Sequence, residues 1–148
     1  MDSPPLPSPS AGAARRAARL AAPRLARELK TIVVMLGIYC RDHHAAASRG
    51  DAGLCGDCAS LHDYARQRLA GCTYGAEKPT CVNCRIHCYT QRRRDDMRTV
   101  MRYAGPRMLW RHPVLALAHV IDGRRPAPPR PNAQVAATSG DTAREPPG

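Results

Sequence analysis

The chain has 148 residues, a formal net charge of +11, one tryptophan and no phenylalanine. That length allows one domain, and so few large aromatic side chains exclude a thick aromatic core. The charge invites nucleic acid without specifying it: 21 of the 23 basic residues are arginine, a skew that compositional bias alone produces.

Residues 1–22 are rich in proline, serine, alanine and arginine, with almost no large apolar groups. They read as a disordered tail, because they bury too little to offset the entropy of ordering. No basic start and apolar run marks a secretory leader. The arginine-rich stretch 11–30 looks like an organelle transit peptide, but residues 124–148 share its bias and read as a second disordered, proline-rich tail. Between the tails lies a cysteine-rich helical domain, residues 23–123, with 16 basic and 9 acidic residues.

Its first helix carries Leu25, Leu29, Ile32, Val33, Leu36 and Cys40 within about a 100° arc. A second is expected from about Cys58 to Ala70, with Asp57 as N-cap and Gly71 as stop. There Cys58, Leu61, Ala65, Leu69 and Cys72 share a face. A third runs from about Gln91 to Ala104, burying Met97, Val100, Met101 and Ala104 between Arg94, Arg98 and Arg102. Gly105-Pro106 is expected to end it. The last apolar stretch, Met108 to Ile121, is too short to span a membrane and restarts at Pro113. It reads as a core helix pair packed over the cysteine region. The fold class is therefore all-α: about four helices, stapled by metal, between disordered tails.

All seven cysteines fall between Cys40 and Cys88, and four form two C-x2-C pairs, Cys55/Cys58 and Cys81/Cys84. An odd number leaves one thiol over in any disulfide framework. In a reducing cytoplasm, the expected compartment, such clusters mean metal or redox chemistry. If Cys58 and Cys72 bracket one continuous helix, they are about 21 Å apart, too far for one ion or cluster, so they serve different sites or one of them is not a ligand. Two ligand sets follow. Cys72, Cys81, Cys84 and Cys88 make a four-cysteine set. Cys40, Cys55 and Cys58, joined by His43 or His44, make a three-cysteine, one-histidine set; either histidine shares a helical face with Cys40.

The four-cysteine set partly matches the C-x2-C-x2-C-x3-C-P run of bacterial ferredoxins. Lys78 stands where the first cysteine would fall, Tyr89 replaces the proline, and Cys72 must supply the missing ligand. Zinc accepts the same thiolates, so spacing does not choose the metal. His87, between Cys84 and Cys88, fits a hydrogen bond to a thiolate better than a ligand role. His62 reads as solvated.

The segments IYCRDHH, LCGDC, LHDYARQRLAGCTYGAEKPTCVNCRIHCY and MRYAGPRMLWRHPVLALAHVID occur in that order. Together they resemble the nitrous oxide-stimulated promoter family of small bacterial proteins linked to nitrosative stress, over about Leu25 to Gly123. The resemblance implies a cytosolic iron–sulfur protein, with a 4Fe-4S cluster favoured and zinc as an alternative or second centre. It implies no known reaction. Carried onto this chain, its functional positions are the seven cysteines, with His43, His44 and His87 nearby.

An enzyme is the lesser reading. No nucleotide-binding glycine loop, nucleophile elbow or paired carboxylates appear. The leading expectation is an iron–sulfur protein of the nitrosative stress response, with nitric oxide as reactant. Its rivals are a zinc-stapled module binding nucleic acid or a protein partner, and a thiol-redox enzyme using Cys55 and Cys58.

Overall fold

The computed structural model describes residues 10–80, 83–84, 86 and 88–127. Among them are five α-helices and no strand: α1 (Ala11–Ala21), α2 (Pro23–His43), α3 (Gly56–Ala70), α4 (Gln91–Arg111) and α5 (Pro113–Gly123). Helix α2 is central and packs against the other four.

Helix α1 lies where a disordered tail was expected. It buries no residue, so burial does not explain it. Alanine and arginine have high helix propensity, and Ser10 caps the first turn by accepting from the Ala13 N–H at 3.3 Å. At its other end Arg19 donates to the Cys72 carbonyl at 3.4 Å. The remainder of that tail, residues 1–9, and residues 128–148 of the other lie outside the described residues.

Pro23 sits in the first turn of α2, where its missing N–H costs nothing. Leu25, Ile32, Leu36 and Cys40 are buried as the periodicity requires, together with Met35 and Ile38. Val33 is exposed instead, because the buried face turns toward Met35 and Ile38. Helix α3 matches its expected span, but Cys55 is the N-cap and Asp57 lies in the first turn. The Asp57 carboxylate there favours the positive end of the helix dipole.

Helix α4 departs further. It was expected to stop at Gly105-Pro106, yet it continues to Arg111 with Pro106 inside. Proline removes one backbone donor from the ladder. The turns on either side are held by Ala104 and Met108, which are buried in the core with Ile32, Leu36, Cys40, Cys58, Leu61 and Met97. Helix α5 restarts at Pro113 as expected, but it is not a core helix. Only Ala116 and Asp122 are buried on it and Leu115 packs partly against the core, while Val114, Leu117, Val120 and Ile121 face outward.

The segment after α3 is strapped to α2 and α5. The buried Lys78 ammonium meets Glu28 of α2 at 3.0 Å, and Arg24 donates to the Lys78 carbonyl. Asn83 donates to the Gly123 carbonyl at 2.7 Å, and Arg27 pairs with Asp122 at 3.0 Å.

Candidate metal centre

Cys40 lies in the last turn of α2 and is fully buried. Four residues on, His44 caps that helix with extended backbone, φ −120° and ψ 146°, while its N–H still donates to the Cys40 carbonyl. The break in helical dihedrals occurs at His44 itself, after the turn that puts it beside Cys40. Arg49 holds this end in place: its guanidinium donates to the Arg41 and His44 carbonyls, both at 2.9 Å. The chain then reverses through Gly53, whose φ of +74° is readily adopted only by glycine, and an isolated bridge pairs Arg49 with Cys55.

Cys55 begins α3. Its N–H donates to the Cys40 sulfur at 3.2 Å, and its own sulfur lies 3.1 Å from His44 Nδ1. Cys58 Sγ, one turn on, is 3.4 Å from the same nitrogen. The ligand atoms of Cys40, His44, Cys55 and Cys58 all lie within 4.8 Å of one another. A tetrahedral ion with sulfur bonds of about 2.3 Å would hold its ligands about 3.7 Å apart. The four side chains therefore can hold a metal ion after a small adjustment, in which the widest pairs close and the 3.1 Å pair opens.

The electrostatics suit thiolate ligation. Burial pushes the Cys55 thiol up. The backbone N–H groups of Cys58 and Asp57 and the neighbouring thiols of Cys58 and Cys40 outweigh it, so its acidity is increased overall. The Cys58 thiol is pushed far up, first by burial and then by Cys55 and Cys40. A thiol of increased acidity thus sits beside one whose proton is held tightly.

His43 does not join the group. Its ring packs against Tyr39 at 4.4 Å and Tyr103 at 4.3 Å, between centroids. Of the two histidines that spacing left open, His44 faces the sulfurs.

Three of the other cysteines gather beyond the far end of α3. Cys72, Cys84 and Cys88 line one open cavity of about 710 Å³ with Lys78 and Ile86. Cys88 is pushed up by burial, then by Cys84 and Cys72, with Lys78 opposing. Cys84 donates to the Ile86 carbonyl at 3.1 Å. The expectations for Cys81 and His87 lie outside the described residues. Helix α3 runs unbroken from Gly56 to Ala70, so Cys58 and Cys72 stand at its opposite ends. His62 is only partly exposed, and its buried Nε2 has no hydrogen-bond partner among the described residues.

A family model described as nitrous oxide-stimulated promoter matches residues 23–132. The chain belongs to that family. The match begins at the first residue of α2 and takes in every cysteine of both groups. The chain is also 42% identical over 111 residues to YgbA of Escherichia coli (strain K12), a protein itself named as uncharacterized, covering 73% of this chain and 88% of the relative. No solved structure matches. Among the described residues, no helix is long and apolar enough to cross a membrane.

Proposed function

We propose that this chain is a cytoplasmic metal–thiolate protein of the nitrosative stress response, with two metal centres at the two ends of α3. The observation that carries the reading is the convergence of Cys40, His44, Cys55 and Cys58 within 4.8 Å. Four ligand atoms so close suit one tetrahedral ion, zinc above all. They are too tightly drawn to surround a four-iron cube, whose ligands must stand outside its iron atoms. The iron–sulfur centre belongs with Cys72, Cys81, Cys84 and Cys88, which keep the C-x2-C-x3-C part of the ferredoxin spacing. The cavity shared by Cys72, Cys84 and Cys88 supports that assignment.

In this division the Cys3His ion is structural, closed to substrate, and ties the end of α2 to the start of α3. The four-cysteine centre supplies iron–sulfur chemistry, including reactivity toward nitric oxide. The family's name links it to nitrous oxide, and the open cavity gives a small molecule access to that end of the fold. The role is binding and sensing, not turnover.

Anaerobic purification followed by metal and sulfide analysis tests this. Expected are one zinc per chain together with iron, acid-labile sulfide and broad visible absorbance that nitric oxide bleaches. Zinc alone in a colourless protein would favour the zinc-stapled module. Neither metal, with a reducible Cys55–Cys58 bond, would favour the thiol-redox enzyme.

A further inference from the structure

Trp110, in the last turn of α4, is 90% exposed, and Val114 and Leu117 on α5 are 83% and 60% exposed. Leu109, Val120 and Ile121 are exposed beside them. Val114, Leu117 and Ile121 are three and four apart, so they form one stripe along α5. Between His112 and Arg124 every exposed residue is apolar. Apolar side chains scattered singly need no explanation, but a contiguous group of this kind marks an interaction surface.

Charge frames the group. Arg107 and Arg111 are exposed at one end, Arg124 and Arg125 at the other. From Met97 to Ala127 the sole acidic residue is Asp122. It is buried and faces Arg27 at 3.0 Å and Arg24 at 3.6 Å. The surface is thus apolar at its centre and cationic at both ends, and the stretch from Met97 to Ala127 exposes no carboxylate.

We propose that this face docks on an anionic lipid surface, with Trp110 and the α5 stripe at the headgroup boundary and the flanking arginines on lipid phosphates. An amphipathic helix with a tryptophan and a basic margin lies in such an interface. The planar guanidinium matches phosphate geometry in a way ammonium does not. At 11 residues α5 is far too short to cross a bilayer. A second copy is disfavoured, because a two-fold axis would set arginines against arginines at both ends of the stripe. A protein helix with acidic ends is a poorer match: the exposed stripe offers no polar side chain to fix a register, and a lipid surface needs none.

The chain's single tryptophan reports the outcome directly. Full-length, metal-loaded protein is mixed with phosphatidylcholine vesicles, with and without phosphatidylglycerol. Expected are a blue shift of Trp110 emission and co-flotation with the anionic vesicles, both lost at high salt. Neutral vesicles should give neither. Leu117→Gln should weaken binding about tenfold. The double substitution Arg111→Gln, Arg124→Gln should weaken it about thirtyfold, as about 1 kcal/mol per basic residue at such a surface implies. All these positions are exposed, so melting curves should stay unchanged. Absence of binding to either vesicle, or equal binding to both, overturns the proposal. So does a chain of doubled mass whose Trp110 is shielded from acrylamide, which means a dimer. A shift with an acidic amphipathic peptide but not with vesicles would assign the face to a protein partner instead.

Discussion

The Lys78 ammonium lies 3.0 Å from Glu28 Oε1, and both side chains are more than nine-tenths buried. Lys78 occupies the position where a ferredoxin run would carry its first cysteine. Here that position anchors the cysteine segment to α2 through a charge pair in place of a metal bond. Lys78→Met should lower unfolding free energy, because the buried Glu28 carboxylate loses an ammonium 3.0 Å away in a medium that solvates it poorly. A double substitution, Glu28→Leu with Lys78→Met, should recover much of that loss. Urea denaturation of the three proteins checks both statements.

The choice between adjacent histidines gives a sharper expectation. His44→Ala removes a ligand whose Nδ1 stands 3.1 and 3.4 Å from two sulfurs. Zinc affinity of that centre should fall by more than about 100-fold, since even outer-shell changes cost about 10- to 100-fold. His43→Ala should leave zinc affinity nearly unchanged while loosening the contacts with Tyr39 and Tyr103. Competition with a chromogenic chelator separates the two variants. Equal losses would remove His44 from the ligand set.

Helix α2, helix α3 and the restart at Pro113 were legible because apolar periodicity and Pro/Gly punctuation agree there. Three features were not. Helix α1 sets Ala13, Ala17 and Leu20 on one face toward the cavity of Cys72, but its apolar groups are nearly all alanine and none is fully buried, so its composition read as a tail. Helix α4 passes Pro106 because burial of Ala104 and Met108 outweighs one lost hydrogen bond. The apolar residues of α5 read as core, since hydropathy alone does not say which side faces inward. The site was legible to the same depth. Spacing brought Cys40, Cys55 and Cys58 together with a histidine, but left His43 and His44 equivalent. The dihedrals at the end of α2 and the arginine that fixes them distinguish the two, and neither is written in a motif.

Arg49 should matter to the metal without touching it. Its guanidinium bonds the Arg41 and His44 carbonyls, fixing where the imidazole points. Arg49→Ala should weaken zinc affinity about 10- to 100-fold while stability of the zinc-saturated protein changes little. Arg49→Lys should rescue only in part: both bonds come from one terminal nitrogen of the guanidinium, and the shorter lysine side chain must strain to bring its ammonium to that point. An unchanged zinc affinity in Arg49→Ala would show that the loop holds His44 without it.

Two centres predict independent losses. Cys58→Ala should remove the single ion and leave iron and sulfide at the other end of α3. Cys84→Ala should do the reverse. The ground is the unbroken helix from Gly56 to Ala70, which holds Cys58 about 18 Å from Ala70 at 1.5 Å per residue, with Cys72 two residues beyond that end. Metal analysis of both variants reads the result. Loss of all metal from both, with the fold retained by circular dichroism, would mean one shared centre.

Proton release follows from the opposite shifts of two neighbouring thiols. Burial pushes the Cys55 thiol up, but N–H donors at the start of α3 and the neighbouring thiols outweigh it and make Cys55 more acidic than an ordinary cysteine. Cys58 is pushed far up by burial and by Cys55 and Cys40, so at neutral pH it holds its proton in the metal-free protein. The protonated thiol is the form that acid favours and the metal excludes, so metal binding must displace that proton. Zinc affinity should therefore fall as pH falls, about tenfold per pH unit for each proton released. Calorimetric zinc titrations in buffers of different ionisation enthalpy would count the protons. Cys58→Ser should lower the count by one, because serine has no ionisable thiol to give up. A count of zero in the native chain would mean that Cys58 is not a ligand.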